Sequence, residues 1–437
     1  VYMKHGGIGG AAIEVLADIE ARHRPASEAL KDWGVSHRFA GSGDRAAIGN
    51  LVFDALRNRA SIAWRMGAET PRALALGAYV FNWDVGSERL DVAFAADRHS
   101  PEPPTDAEKI ALRTGTLDDA PDWVKGDYPE WLDAGFKAAF GETAVHEGAA
   151  LARRAPVDLR ANTLKSTRDR VMKALARFEP AETPLSPVGI RLGAGVGAVR
   201  QPHVESETGF RKGWFELQDE GSQLAAFLSG ATGGQQIADV CAGAGGKTLA
   251  LAAMMENKGQ VYAWDADRHR LASIHERLQR AGVRNAQVRE PGDAKVLADL
   301  EGKMDMVLVD APCTGTGTWR RRPDSKWRVS EKALDDRKAD QTAVLALAAP
   351  LVKPGGRLVY VTCSVLPEEN DARVSAFVQA QDGFAPMAVA DVVAGSSLTD
   401  EVKARLSDPA LATAHGIQLT PRRTETDGFY VSVLSRT

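Results

Sequence analysis

Three cysteines, Cys241, Cys313 and Cys363, stand among the 437 residues, each in a segment suited to chemistry. Three thiols cannot all pair within one chain. No Cys-x-x-Cys occurs, and the nine histidines do not cluster near the cysteines, so a zinc site is not indicated. The thiols read as reduced, which implies a cytoplasmic setting. A single cysteine is most often a small buried apolar residue. The positions of Cys313 and Cys363 argue otherwise. Cys313 lies in Asp310-Ala311-Pro312-Cys313-Thr314-Gly315-Thr316-Gly317 and Cys363 in Thr362-Cys363-Ser364-Val365-Leu366-Pro367-Glu368-Glu369-Asn370. Each follows the C-terminal end of an apolar strand, and in open parallel sheets that edge carries the site. Neighbouring strands lie ~4.8 Å apart, so adjacency of these two would bring both thiols into one cleft.

The third segment is Asp239-Val240-Cys241-Ala242-Gly243-Ala244-Gly245-Gly246-Lys247-Thr248. Glycines between a strand and a helix let the backbone approach a ligand. The Gly-Lys-Thr ending invites a P-loop, but Cys241 stands where that motif needs its first glycine. The dinucleotide fingerprint fails too, because Thr248 holds its third glycine position. A nucleoside without phosphate fits better. Asp265 ends the next strand, where an acid binds ribose hydroxyls, and Asp293 follows the third. A glycine turn with two strand-end acids suits S-adenosylmethionine, although either acid can also serve as a helix cap. Two thiols beside such a cofactor suggest covalent catalysis.

The elements that must position these residues begin near residue 235. Apolar strands at 237–241, 261–265, 286–289, 304–310 and 357–361 alternate with helices at 248–255, 268–281, 331–351 and about 369–379, and 428–434 alternates as a final strand. Such alternation predicts a mostly parallel sheet covered on both faces. Residues 10–150 read as mostly helical. The clearest helix spans 44–66, with Asp44 as its cap and Ile48, Leu51, Val52, Leu56 and Ile62 on one face. Further helices are expected at 11–21 and 130–140, and a connecting loop at 101–127. A strand near 157–164 and a helix from Thr167 follow, and the Pro- and Gly-rich stretch 179–199 reads as loop.

Composition is that of a globular chain, with 44% hydrophobic and 26% charged residues. No apolar run reaches the ~18 residues of a membrane span. The start, Val1-Tyr2-Met3-Lys4-His5, leads into no signal-like apolar stretch, and a chain opening on Val reads as trimmed. The net charge of −4 divides unevenly. Residues 1–150 carry 16 basic and 23 acidic side chains, residues 151–437 carry 38 and 35. A local basic patch can hold phosphates on such a chain.

The three segments resemble the RNA 5-methylcytosine methyltransferases, most closely the branch of bacterial small-subunit rRNA methyltransferase B. Phe215-Glu216-Leu217-Gln218-Asp219-Glu220-Gly221-Ser222-Gln223 is similar to the family's lead-in to its catalytic domain, and Arg320-Arg321-Arg322-Pro323-Asp324-Ser325-Lys326-Trp327 to its segment after the fourth strand. Asp44-Arg45 through Leu56-Arg57 resembles the branch's NusB-like helical domain. The likeness covers nearly the whole chain, specifically in the catalytic half and more loosely in the first 150 residues.

The resemblance implies a multidomain chain. An all-α NusB-like RNA-binding domain would take 1–145 and an α+β connector, also RNA-binding, 146–225. An α/β Rossmann-like methyltransferase domain would take 226–437, with a seven-stranded sheet containing one antiparallel strand. It implies S-adenosylmethionine on the backbone of Cys241, Ala242, Gly243, Ala244, Gly245, Gly246 and Lys247, with Asp265 at the ribose, Asp293 near the adenine and Asp310 also lining the cofactor. Cys363 would attack cytosine C6, Cys313 would assist release, and Asp310 would hold the ring near N3; Cys241 remains structural. The family usually has Pro where Ala244 stands, so the turn is expected to be less pre-formed. Arg320, Arg321, Arg322 and Lys326 are placed to hold phosphates, and Trp327 to stack or pack. The expected partner is RNA, small-subunit rRNA above all, met by a monomer with no metal and no membrane. Two other readings stay open: a cytosine-C5 methyltransferase of tRNA or DNA, and an RNA-binding assembly factor with a vestigial catalytic half.

Overall fold

A computed structural model describes residues 5–96 and 100–437. Val1-Tyr2-Met3-Lys4, part of the start read above for a leader, lies outside the described residues. The chain forms two compact units. One takes the residues up to Ala155 with Ala194–Gln201 and Thr318–Val329; the other takes Pro156–Gly193, Pro202–Gly317 and Ser330–Thr437.

The first unit is helical among its described residues. The helix expected over 44–66 is two, Ser42–Arg57 and Arg59–Met66. The break has a local cause: Asp127 takes the Ser61 amide at 2.8 Å and the Ser61 hydroxyl at 2.6 Å, so the second helix starts afresh. Asp44 is not the cap residue itself. It lies in the first turn and accepts from Gly41 N at 3.3 Å. The stretch 101–127 is not all loop either, for it contains helices Asp106–Thr114 and Asp122–Lys125. Thr105 and Glu108 cap the first of these reciprocally, at 3.2 and 2.8 Å.

The second unit opens with a four-stranded antiparallel sheet: β1 (Val157–Ala161), β2 (Ala181–Glu182), β3 (Gly189–Leu192) and β4 (Phe215–Leu217), in the order β2-β3-β1-β4. Residues 179–199, read as loop, thus hold two strands. The larger sheet contains β5 (Gln236–Asp239), β6 (Gln260–Ala263), β7 (Ala286–Val288), β8 (Met304–Asp310), β9 (Val352–Thr362), β10 (Phe384–Pro386), β11 (Ile417–Leu419) and β12 (Phe429–Arg436). Its order is β10-β12-β9-β8-β5-β6-β7, and β11 pairs β12. The sheet therefore has eight strands rather than seven. β5 to β9 are mutually parallel, and β12 runs against β9, β10 and β11.

Both faces of this sheet are buried, as a parallel sheet requires. Ile237, Met306, Leu308, Val359 and Val361 pack to one side with Leu224 and Leu251. Ala238, Val307, Val309, Leu358 and Tyr360 pack to the other with Leu345 and Phe377. This is a Rossmann-like α/β arrangement, and it delivers the C-terminal ends of β5 to β9 to one edge.

Candidate active site

β8 and β9 are hydrogen-bonded neighbours, with Asp310 opposite Val361. The strands end there, and the chain turns into the two cysteine segments. Cys313 Sγ and Cys363 Sγ lie 3.4 Å apart, and both are half-buried free thiols. Backbone bonds tie the segments together: Gly317 N donates to Cys363 O at 2.9 Å and Gly428 N to Gly317 O at 2.8 Å. Gly317 is required at this crossing, since a Cβ there would stand 2.1 Å from Gly428 O. Glu369 joins both segments from beneath, accepting from Thr314 N at 2.8 Å, from Thr314 Oγ1 at 2.6 Å and from Ser364 Oγ.

The thiols differ electrostatically. Cys313 is pushed well above the ordinary thiol range, first by its hydrogen bond with Cys363, then by burial and by the charges of Cys363 and Glu369. Cys241 is buried and likewise pushed up, by burial and then by Asp239, Asp310 and Asp265. It packs in the core below the turn.

That turn follows β5. Gly243 and Gly245 adopt left-handed conformations, φ 51° and 87°, and a Cβ on Gly245 would meet Ile274 Cγ1 at 2.7 Å. Gly245 N bonds Ala242 O at 2.8 Å, and the helix Gly246–Met254 starts directly after. Asp265 is buried and pins the turn by accepting from Gly243 N at 2.9 Å; its other oxygen accepts from Asp267 N at 2.8 Å. Gly292 N bonds Asp265 O at 3.3 Å, which sets the Asp293 segment beside Asp265. Asp293 itself is exposed and caps the short helix Ala294–Leu300 through Lys295 N. Asp310 is joined to the turn by Lys247, whose Nζ donates to it at 2.8 Å and lies 5.2 Å from the Phe429 ring centre.

The residues here suit S-adenosylmethionine. Asp239 keeps one buried oxygen without a partner, and Asp265 and Asp310 give an acidic surround appropriate to a cationic sulfonium. The glycine backbone is left open for close approach. Sequence reasoning missed the Lys247–Asp310 pair and the clamp at Glu369. The second had a visible signal, an acid six residues after Cys363, but its partners Thr314 and Gln341 come from elsewhere in the chain.

The basic segment behaves differently from expectation. Arg320 and Lys326 are buried in the helical unit rather than free to hold phosphates. Lys326 Nζ donates to Arg57 O at 2.7 Å and Asp127 O at 2.6 Å, between the rings of Trp319 and Trp327. Trp327 packs, donating Nε1 to Leu56 O at 2.6 Å, and Asp324 takes Ala26 N at 3.1 Å. Arg322 is exposed.

Residues 227–435 match the family model for the 16S rRNA methyltransferase RsmB/F, and residues 128–198 match the RsmF/B-like ferredoxin-like domain. The methyltransferase half of the chain, residues 227–435, belongs to the RsmB/F methyltransferase family. S-adenosylmethionine is the methyl donor of that family. A probable ribosomal RNA small subunit methyltransferase B of Synechocystis sp. is 36% identical over 260 residues, a stretch covering 58% of this chain and 56% of that protein. The chain thus spans little more than half the length of this relative. Among solved structures, PH0851 shares the fold at a TM-score of 0.72 and 22% identity, with full coverage of both chains. NSun6 from Pyrococcus horikoshii, solved with SFG, aligns at a TM-score of 0.60 and 22% identity, over 70% of this chain and 98% of that one. No helix among the described residues is long and apolar enough to cross a membrane.

Proposed function

We propose that the chain methylates C5 of a cytosine in small-subunit rRNA through a covalent bond between Cys363 and C6. The observation that carries this reading is the pair of thiols, 3.4 Å apart at the ends of adjacent strands, beside a turn suited to the methyl donor. S-adenosylmethionine, when bound, supplies an electrophilic methyl group. The backbone from Cys241 to Lys247 would hold it, with Asp265 at the ribose and Asp293 toward the adenine.

The remaining work falls to this chain's side chains. Cytosine C5 is a poor nucleophile. The Cys363 thiolate adds to C6, forming a C–S bond and turning C5 into an enamine-like carbon. Asp310, anchored by Lys247, holds the ring edge near N3 and favours its protonated form. Once C5 bears the methyl group, its proton passes to a solvent water. The electron pair then restores the ring double bond and expels the Cys363 sulfur as thiolate. Cys313, protonated and in contact with Cys363, assists this release.

A base inside folded RNA must first be turned out of its stack. The connector, within 146–225, supports RNA binding through exposed cations at Lys165, Arg170, Lys173 and Lys212. The Arg170 guanidinium lies 4.0 Å and the Lys212 ammonium 5.5 Å from the Trp214 ring centre. Residues 1–145 are read as the NusB-like RNA-binding domain.

Bisulfite sequencing of rRNA and tRNA from a deletion strain tests the reaction and its position together. One protected cytosine in small-subunit rRNA should vanish. With purified protein, Cys363→Ala should form no covalent RNA adduct and Cys313→Ala should accumulate it. An adduct lost in Cys313→Ala but kept in Cys363→Ala would overturn the assignment.

A further inference from the structure

Glu369 is fully buried, and among the described residues its carboxylate is met only by neutral donors. These are Thr314 N, Thr314 Oγ1, Ser364 Oγ and Gln341 Nε2, the last at 3.1 Å. A carboxylate buried without a cation is costly unless strong hydrogen bonds offset it. Thr314 directly follows Cys313, and Ser364 directly follows Cys363. One side chain therefore grips the residue after each thiol. Gln341, on the helix Glu331–Ala348, fixes the grip from a third direction, because the same Nε2 donates to Pro312 O at 2.9 Å. The backbone of Glu369 is held as well, its carbonyl accepting from the Tyr360 hydroxyl at 2.6 Å.

We propose that Glu369 is a positioning residue for the dithiol, setting the spacing of Cys313 and Cys363 by clamping both turns with one carboxylate. The proposal deepens the reaction assigned above and rests on the two thiols being its working groups. The clamp acts by charge as well as geometry, since Glu369 is among the groups that keep the proton on Cys313. The other ionisable neighbours are Tyr360 and, beyond it, Arg373.

The test uses the full chain without RNA or methyl donor, so its outcome is separate from that of the methylation assay. Diamide removes two electrons and two protons from a pair of thiols, becomes the corresponding hydrazine and leaves a disulfide. The rate of Cys313–Cys363 closure, followed by peptide mass spectrometry, reads how well the sulfurs are held together. Glu369→Gln keeps the shape but presents a donor where donors already converge. Closure is expected to slow about tenfold, the size of a lost charge-assisted hydrogen bond. Alkylation of Cys313 by iodoacetamide is expected to shift to lower pH as the negative neighbour disappears. Glu369→Asp keeps the charge on a shorter arm, so it should restore the alkylation profile and not the closure rate. Thr314→Val removes one donor and serves if Glu369→Gln does not fold; there closure should slow about fivefold. Wild-type closure and an unshifted alkylation profile in Glu369→Gln, or wild-type closure in Thr314→Val, overturn the proposal.

Discussion

Asp239 shows how much one buried group can impose on its surroundings. It ends β5, accepts from Thr248 Oγ1 at 2.7 Å and is raised from an ordinary 3.8 to about 7. Burial is the main cause, with Asp310 adding to it and Thr248 and Lys247 opposing. The folded protein therefore holds this proton through a range where the unfolded chain has released it. Stability should fall as pH rises from about 4 to about 7, then level off. Asp239→Asn, neutral at every pH and nearly the same shape, should flatten that fall and melt several degrees higher at pH about 8. Thermal denaturation of both proteins across this range checks it, and parallel curves would contradict it. At this scale the cysteines were legible, because their placement after apolar strands needs only local pattern. Glu369 was not, because its role depends on Gln341 and Thr314, which only folding brings to it.

At the scale of elements, the segment Thr318–Val329 is the instructive one. Its charges read as a solvated, phosphate-binding run, yet Lys326 is fully buried and lowered by burial to about 8, beside Asp127, raised by burial to about 6. Lys326→Ala should destabilise the helical unit by about 3 kcal/mol or more, since it leaves a buried charge and two carbonyls without their partner. Arg322→Ala, at an exposed position, should change stability by less than about 0.5 kcal/mol. Urea unfolding of the full-length variants would measure both, and equal effects would remove the distinction. No sequence pattern could announce this burial, because Arg57 O lies 269 residues from Lys326. The helix Asp106–Thr114 is the opposite case: Thr105 and Glu108 form a readable capping pair amid prolines that suggested a loop. Strands of two to four residues, such as β2, β3 and β11, are too short for any periodicity to show. β8 and the stretch 357–361 of β9 were plain, but β9 begins at Val352, and the Lys-Pro-Gly-Gly that follows it hid the start of the strand.

For the whole molecule, a net charge of −4 does not oppose RNA binding when the connector gathers exposed cations. Arg170→Ala and Lys212→Ala should each weaken RNA binding and reduce the slope of log affinity against log salt by about 1. Titrations at several salt concentrations test this, and an unchanged slope would move the RNA surface elsewhere. The larger sheet has a consequence for synthesis. β9 is flanked by β8 on one side and on the other by β12, paired from Tyr430 with Thr362 to Ser435 with Arg357. At ~5–20 residues per second, the ribosome needs about 4–15 s to travel from the end of β9 to the end of β12. Throughout that interval the nascent chain carries an eleven-residue strand, apolar over 358–361, with one bare flank, a template for wrong pairing. A transcript cut short in this window would yield an aggregation hazard rather than a weakened enzyme.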